Sequence, residues 1–134
     1  MSNLSEEALF NLDNFSLFDV DEAFKNFEDW PTFYSIAKLF PIESAQNITY
    51  LTEAYRNKDW IRIKDITNNI EVCAFYVGAN RLLHACKYFM TYYKAGQEAL
   101  LDRLYGQLIR INSETLDEVA TWLYVNRHYA EQII

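Results

Sequence analysis

The chain has 134 residues, of which 51% are hydrophobic and 23% charged. That is enough for one globular domain around one core. Its net charge of −7 argues against nucleic acid or an anionic membrane as partner. Three glycines and two prolines leave little turn material for a β fold, and no run approaches the roughly 18 apolar residues of a membrane span.

The opening, MSNLSEEALF, lacks the basic and apolar regions of a secretory signal, so a cytoplasmic location is expected. Ser5 before Glu6-Glu7 reads as a capped turn or short helix, with Leu9 and Phe10 packing onto the body. Asp19 or Asp21 can cap a short helix over Glu22 to Phe27. Pro31 suits the first turn of the next helix, to Phe40. Pro41 has no N–H and is expected to kink or interrupt the chain. The pattern resumes through Ala45, Ile48, Leu51 and Tyr55.

The most regular stretch is Asp59 to Leu83. Ile63, Ile66, Ile70, Cys73 and Val77 recur at spacings of three and four, the stripe of an amphipathic helix. Asp59 is its N-cap and Gly78 its C-terminal stop. Lys64, Asn68, Glu71, Val72 and Phe75 fall on the other side. Asn68 lies about 200° round from Ile66 and should face water at mid-helix. A helix follows over 80 to 95, with Leu82, Cys86, Phe89 and Tyr93 inward, and Gly96 ends it. Leu101, Leu104, Leu108 and Ile111 form another stripe. Asn112-Ser113 offers a break, after which Thr115-Leu-Asp-Glu118 reads as a capping box for a C-terminal helix over about 115 to 131, with Leu116, Val119 and Leu123 inward. No strand or repeat is expected. The fold class is all-α, an antiparallel up-down four-helix bundle with short extra helices at the termini.

Asp59-Trp60 and Val77-Gly78-Ala79-Asn80-Arg81-Leu82 resemble the two ends of a pattern found in histidine phosphotransfer (HPt) domains. There an Asp-Trp pair precedes a helix bearing His-x-x-Lys-Gly-Ser, followed by a Gly break and Arg-Leu. Phe18-Asp19-Val20-Asp21-Glu22-Ala23 resembles the family's opening, and Tyr93-Lys94-Ala95-Gly96 the break before its last helix. The resemblance covers about residues 15 to 112, and it implies a four-helix signalling module.

The resemblance puts Asn68 at the phosphoacceptor position, nine residues after Asp59 and ten before Gly78. The family's Lys and Gly positions hold Glu71 and Val72. Phosphotransfer needs a nucleophilic imidazole on an exposed helix face. A carboxamide cannot serve, Glu71 repels phosphate, and Val72 adds bulk. The implied function is therefore a non-catalytic, HPt-like module without cofactor or metal. It binds a receiver domain or histidine kinase through Lys64, Asn68, Glu71, Val72 and Phe75 and accepts no phosphate. Receiver active sites are acidic by the same resemblance, so Glu71 requires the receiver's metal ion or an offset pose, and a diverged partner is the alternative. Lys87, on the next helix, is expected to matter little to the contact. The chain is expected to be monomeric.

Two other readings stand beside this one. His84-Ala85-Cys86-Lys87 superficially resembles His-x-x-Lys, and His84 lies off its helix stripe, so an active phosphocarrier would use His84. Against that, no Gly follows at the fourth position, and an ordinary surface histidine is the plainer account. The other reading is a helical scaffold that keeps only the fold. His128 beside Tyr129 reads as peripheral packing. Cys73 and Cys86 read as buried free thiols, a disulfide being the lesser alternative. Two Cys and two His are not spaced as metal ligands, and there is no Gly-rich phosphate loop. Glu6/Glu7 and Asp117/Glu118 read as solvated surface. Asn47-Ile-Thr49 matches a glycosylation acceptor without a secretory signal to use it. Aromatic residues make up 16% of the chain; adjacent rings such as Phe75-Tyr76 and Tyr92-Tyr93 point to different faces, so some form a contact surface or cap the bundle ends.

Overall fold

A computed structural model describes residues 5–93 and 96–132. The sequence-predicted end of the fifth helix at Lys94-Ala95 lies outside them. The order is α1 (Glu6–Phe10), α2 (Val20–Phe24), α3 (Trp30–Arg56), α4 (Trp60–Val77), α5 (Asn80–Tyr93) and α6 (Glu98–Val125), closed by a 3-10 turn over Arg127–Gln132. The described residues are all-helical, without a strand.

Local caps begin most of these helices. The Ser5 hydroxyl accepts from the Ala8 amide, and the Asp19, Asp29 and Asp59 carboxylates accept from the amides of Glu22, Thr32 and Arg62. Each satisfies an amide that a first turn leaves free. The bond from Thr32 also holds the Asp29 carboxyl below its usual range. Pro31 occupies the first turn of α3.

Two expected breaks are absent. Pro41 lies inside α3, which runs unbroken from Trp30 to Arg56. The missing Pro41 N–H removes one ladder bond, but the turns on either side are held by buried Ala37, Phe40 and Ser44. Ala45 faces solvent, and Ser44 takes the inward position. Likewise α6 passes straight through Asn112-Ser113, so the separate helix from 115 does not exist. The Asn112 amide and Ser44 hydroxyl bond each other at 2.8 Å inside the core. Thr115 caps nothing: its buried hydroxyl donates back to the Ile111 carbonyl at 2.7 Å. The helix ends at Val125, followed by the 3-10 turn.

Each long helix packs on the next, and α6 returns to α3. Glu43 meets Cys73 while Glu53 meets Arg62, so α3 and α4 run antiparallel. Ser44 meets Asn112 while Tyr55 meets Asp102, so α3 and α6 do too. Phe33, Leu51, Ile63, Leu82, Phe89, Leu104, Leu108 and Val119 are fully inaccessible between these helices. Aromatic rings close both ends. Trp30, Phe33, Tyr34, Trp122 and Tyr129 cluster at one. Tyr55, Trp60, Phe89, Tyr93 and Tyr105 cluster at the other.

The α4–α5 turn is held by the amino-terminal segment. Gly78 has φ +81°, and a Cβ there would sit 2.2 Å from the Asp19 carbonyl oxygen. The Asp19 amide donates to the Gly78 carbonyl at 2.8 Å, and the Arg81 amide to the Ser16 carbonyl at 2.9 Å. The Arg81 guanidinium donates to the Phe15 carbonyl, and the Asn80 carboxamide to the Ser16 hydroxyl. Further along, the Gln107 amide donates to the Leu9 carbonyl at 2.9 Å, which seats α1 against α6.

Candidate functional site on α4

The α4 stripe packs inward as expected, with Ile63, Ile66, Ile70 and Val77 buried, joined by Thr67 and Ala74. Between its Asp59 cap and the Gly78 stop the helix is continuous, and this turns Lys64, Asn68, Val72 and Phe75 outward. Asn68 is exposed at mid-helix. Val72 and Phe75 keep 53% and 55% of their surface in solvent. The Phe75 ring meets Tyr76 edge-on at 5.7 Å.

Glu71 departs from this pattern. It is half-buried, because α5 leans over that side of α4. Burial pushes its carboxyl above the ordinary range, and Lys87 opposes the shift. Lys64, Asn68 and Glu71 share an open groove of about 490 Å³ with Lys87, Met90 and Thr91 of α5. Glu71, Val72, Phe75 and Tyr76 share a second depression with Leu83 and again Lys87. Lys87, expected to stand apart from this face on the next helix, borders it in both depressions. Its position depends on how α5 crosses α4, which helical periodicity does not report. A cue in the sequence is the three- and four-residue spacing of Lys87, Met90 and Thr91, which marks them as one strip of α5.

The geometry limits what these groups can do. Two lysines and one glutamate around Asn68 leave about one net positive charge. The carboxamide can donate and accept hydrogen bonds but offers no nucleophile. The arrangement can hold an acidic or polar group without forming a bond to it.

His84 lines neither groove and is not the surface histidine expected. Its ring is half-buried and stacks on Phe15 with centroids 3.6 Å apart and planes 12° from parallel. Its Nδ1 lies 2.9 Å from the Asn80 carbonyl, an acceptor, so Nδ1 carries the proton. The role visible here is to seat the amino-terminal segment. His128 is exposed, its ring 4.2 Å from Tyr129.

Cys73 and Cys86 are both free thiols, and only Cys86 is fully buried. Cys73 lies at the half-exposed edge between α3 and α4, where its Sγ donates to a Glu43 carboxylate oxygen at 2.8 Å. Burial, then the Glu43 carboxylate, push this thiol up to about 12. The stripe period placed Cys73 inward, but it falls at the edge of the stripe, beside the open groove between α3 and α4, while Ile70, Ala74 and Val77 around it are buried.

Among the described residues no group of three or more His, Cys, Asp or Glu side chains could hold a metal ion, and no helix is long and apolar enough to cross a membrane. Comparison of the chain with protein-family models, curated proteins and solved structures returns no match.

Proposed function

We propose that the chain is a non-catalytic, HPt-like signalling module. In this reading α3 to α6 form an antiparallel up-down four-helix bundle. The α4 face around Asn68 docks a receiver domain or histidine kinase and accepts no phosphate. The observation that carries it is Asn68 itself: an exposed mid-helix carboxamide where the resembling family needs an imidazole, beside the outward apolar side chains of Val72 and Phe75. The mechanism is occupancy. The module covers the surface of a true phosphotransfer protein's partner and competes for it. Lys64 and Lys87 support this by outweighing Glu71, whose carboxylate alone would repel an acidic partner. An active carrier using His84 is less well supported, because that ring is stacked under Phe15 with Nδ1 engaged.

The test has two arms. Incubation with phosphorylated receiver domains should leave no acid-labile label on the protein. Addition of the protein should slow phosphoryl transfer from those receivers to an active HPt domain. Stable labelling lost on His84→Ala would overturn the reading in favour of an active carrier. Absence of both labelling and inhibition would favour a scaffold that retains the helical fold alone.

A further inference from the structure

An open apolar surface lies between α3 and α4, beside the face described above. Leu39, Val72 and Tyr76 are exposed there, with Phe75 beside them, and each keeps about half its surface in solvent. Contiguous exposed apolar surface of this kind marks contact sites. A groove of about 250 Å³ runs through it, lined by Ile36, Leu39, Phe40, Val72, Tyr76 and Val77. Its α3 wall spans positions 36 to 43, about 10 Å or two helical turns. On the α4 side the apolar surface continues into the depression that Val72 and Tyr76 share with Phe75 and Leu83.

The charge inside narrows the occupant. Glu43 is the one charged side chain in the lining, and it has no ion-pair partner among the described residues. Its only hydrogen bond among the described residues is the weak donation from the Cys73 thiol. A carboxylate in an apolar trough is complementary to an apolar surface carrying one cation. The net charge of −7 would attract such a partner. Two antiparallel helices forming a trough two turns long accept a third helix, the helix-in-groove mode.

We propose that the α3–α4 groove docks a cationic amphipathic helix of a partner protein, with its apolar side chains in the groove and one lysine or arginine paired with Glu43. This is a separate contact from the Asn68 face, which it adjoins at Val72, and it does not depend on that face binding a receiver domain.

The test uses the full chain and two blocked peptides of about 16 residues, long enough to form a helix. Both carry Leu at i, i+3, i+4 and i+7; one has lysines on the flanks and the other glutamates. Amide resonances of the protein are followed during titration. The lysine peptide should shift residues 36–43 and 72–77. Glu43→Lys should weaken it about tenfold, the scale of a lost charged hydrogen bond. Val72→Asp should weaken it about thirtyfold or more, as loss of a central apolar contact does. Glu118→Lys, on exposed α6 surface, should leave it unchanged. Should Val72→Asp fail to fold, Glu43→Lys decides alone. Equal weakening by Glu118→Lys would mean general charge attraction and overturn the proposal. So would equally tight binding of the glutamate peptide, or no saturation at about 1 mM. Shifts at the same residues on concentrating the protein alone would assign the groove to a second copy, and would overturn it too.

Discussion

Replacing each of the three glycines by alanine separates backbone strain from steric overlap. At Gly78 both act. Its φ of +81° lies in the left-handed region, which costs a residue with a Cβ about 1–2 kcal/mol. The added Cβ would also stand 2.2 Å from the Asp19 carbonyl oxygen and 3.1 Å from the Ala23 Cβ. The first neighbour is backbone, tied by its own amide to the Gly78 carbonyl, so it cannot swing aside. Forced overpacking of this kind costs about 1–3 kcal/mol more, roughly 2–5 kcal/mol in all. Gly96 has φ +71° with nothing within 4 Å of a Cβ, so only the first penalty applies. Gly106 lies inside α6 with open space around it, and alanine there should stabilise by about 1 kcal/mol. For a chain of this length about 3–4 °C of melting temperature corresponds to 1 kcal/mol. Thermal melts by circular dichroism should therefore rank Gly106→Ala above the parent, Gly96→Ala a few degrees below it, and Gly78→Ala about 7–18 °C below. If Gly78→Ala melts within a degree or two of Gly96→Ala, the close approach of the Asp19 segment to the α4–α5 turn is wrong.

Other consequences can be measured separately. Ile66→Ala should cost roughly 2–5 kcal/mol in chemical denaturation, while Asn68→Ala, two residues on and exposed, should stay within about 0.5 kcal/mol; equal costs would mean the α4 face is misassigned. Phe75→Ala should weaken receiver or kinase binding about thirtyfold in calorimetry with melting nearly unchanged, and Lys87→Ala should weaken it with a shallower salt dependence; parental binding by both would remove the Asn68 face from the contact. Cys73 should alkylate slowly with iodoacetamide, its rate still rising about tenfold per pH unit from pH 8 to 10, because a thiol held near 12 is far from full ionisation there. An ordinary thiol levels off above about pH 9, so a plateau at that point would refute the Cys73–Glu43 environment, and Glu43→Gln should raise the rate at any fixed pH in that range.

What the sequence determined by itself was local. Asp59, the isoleucine stripe and Gly78 lie within one helix and its two ends, so cap, period and stop could all be read from spacing, and with them the outward placement of Asn68. Ser5 and Pro31 were legible for the same reason: each acts on an amide or a turn within three residues of itself. Asp19 and Asp21 were equally good caps by spacing; the helix begins at Val20 on Asp19 and ends at Phe24, earlier than the Glu22 to Phe27 expected. Tertiary structure decided the rest. Pro41 and Asn112-Ser113 are real local break signals, yet α3 and α6 continue through them, because burying Ala37, Phe40, Ser44, Ile111, Asn112 and Thr115 together outweighs one lost ladder bond and satisfies the polar groups across the interface. Lys87 reaches the Asn68 face, His84 lies beneath Phe15, and Glu43 meets Cys73 only because separate helices cross where they do. Helical period specifies the direction a side chain takes from its own axis; what stands opposite depends on packing between helices distant in sequence.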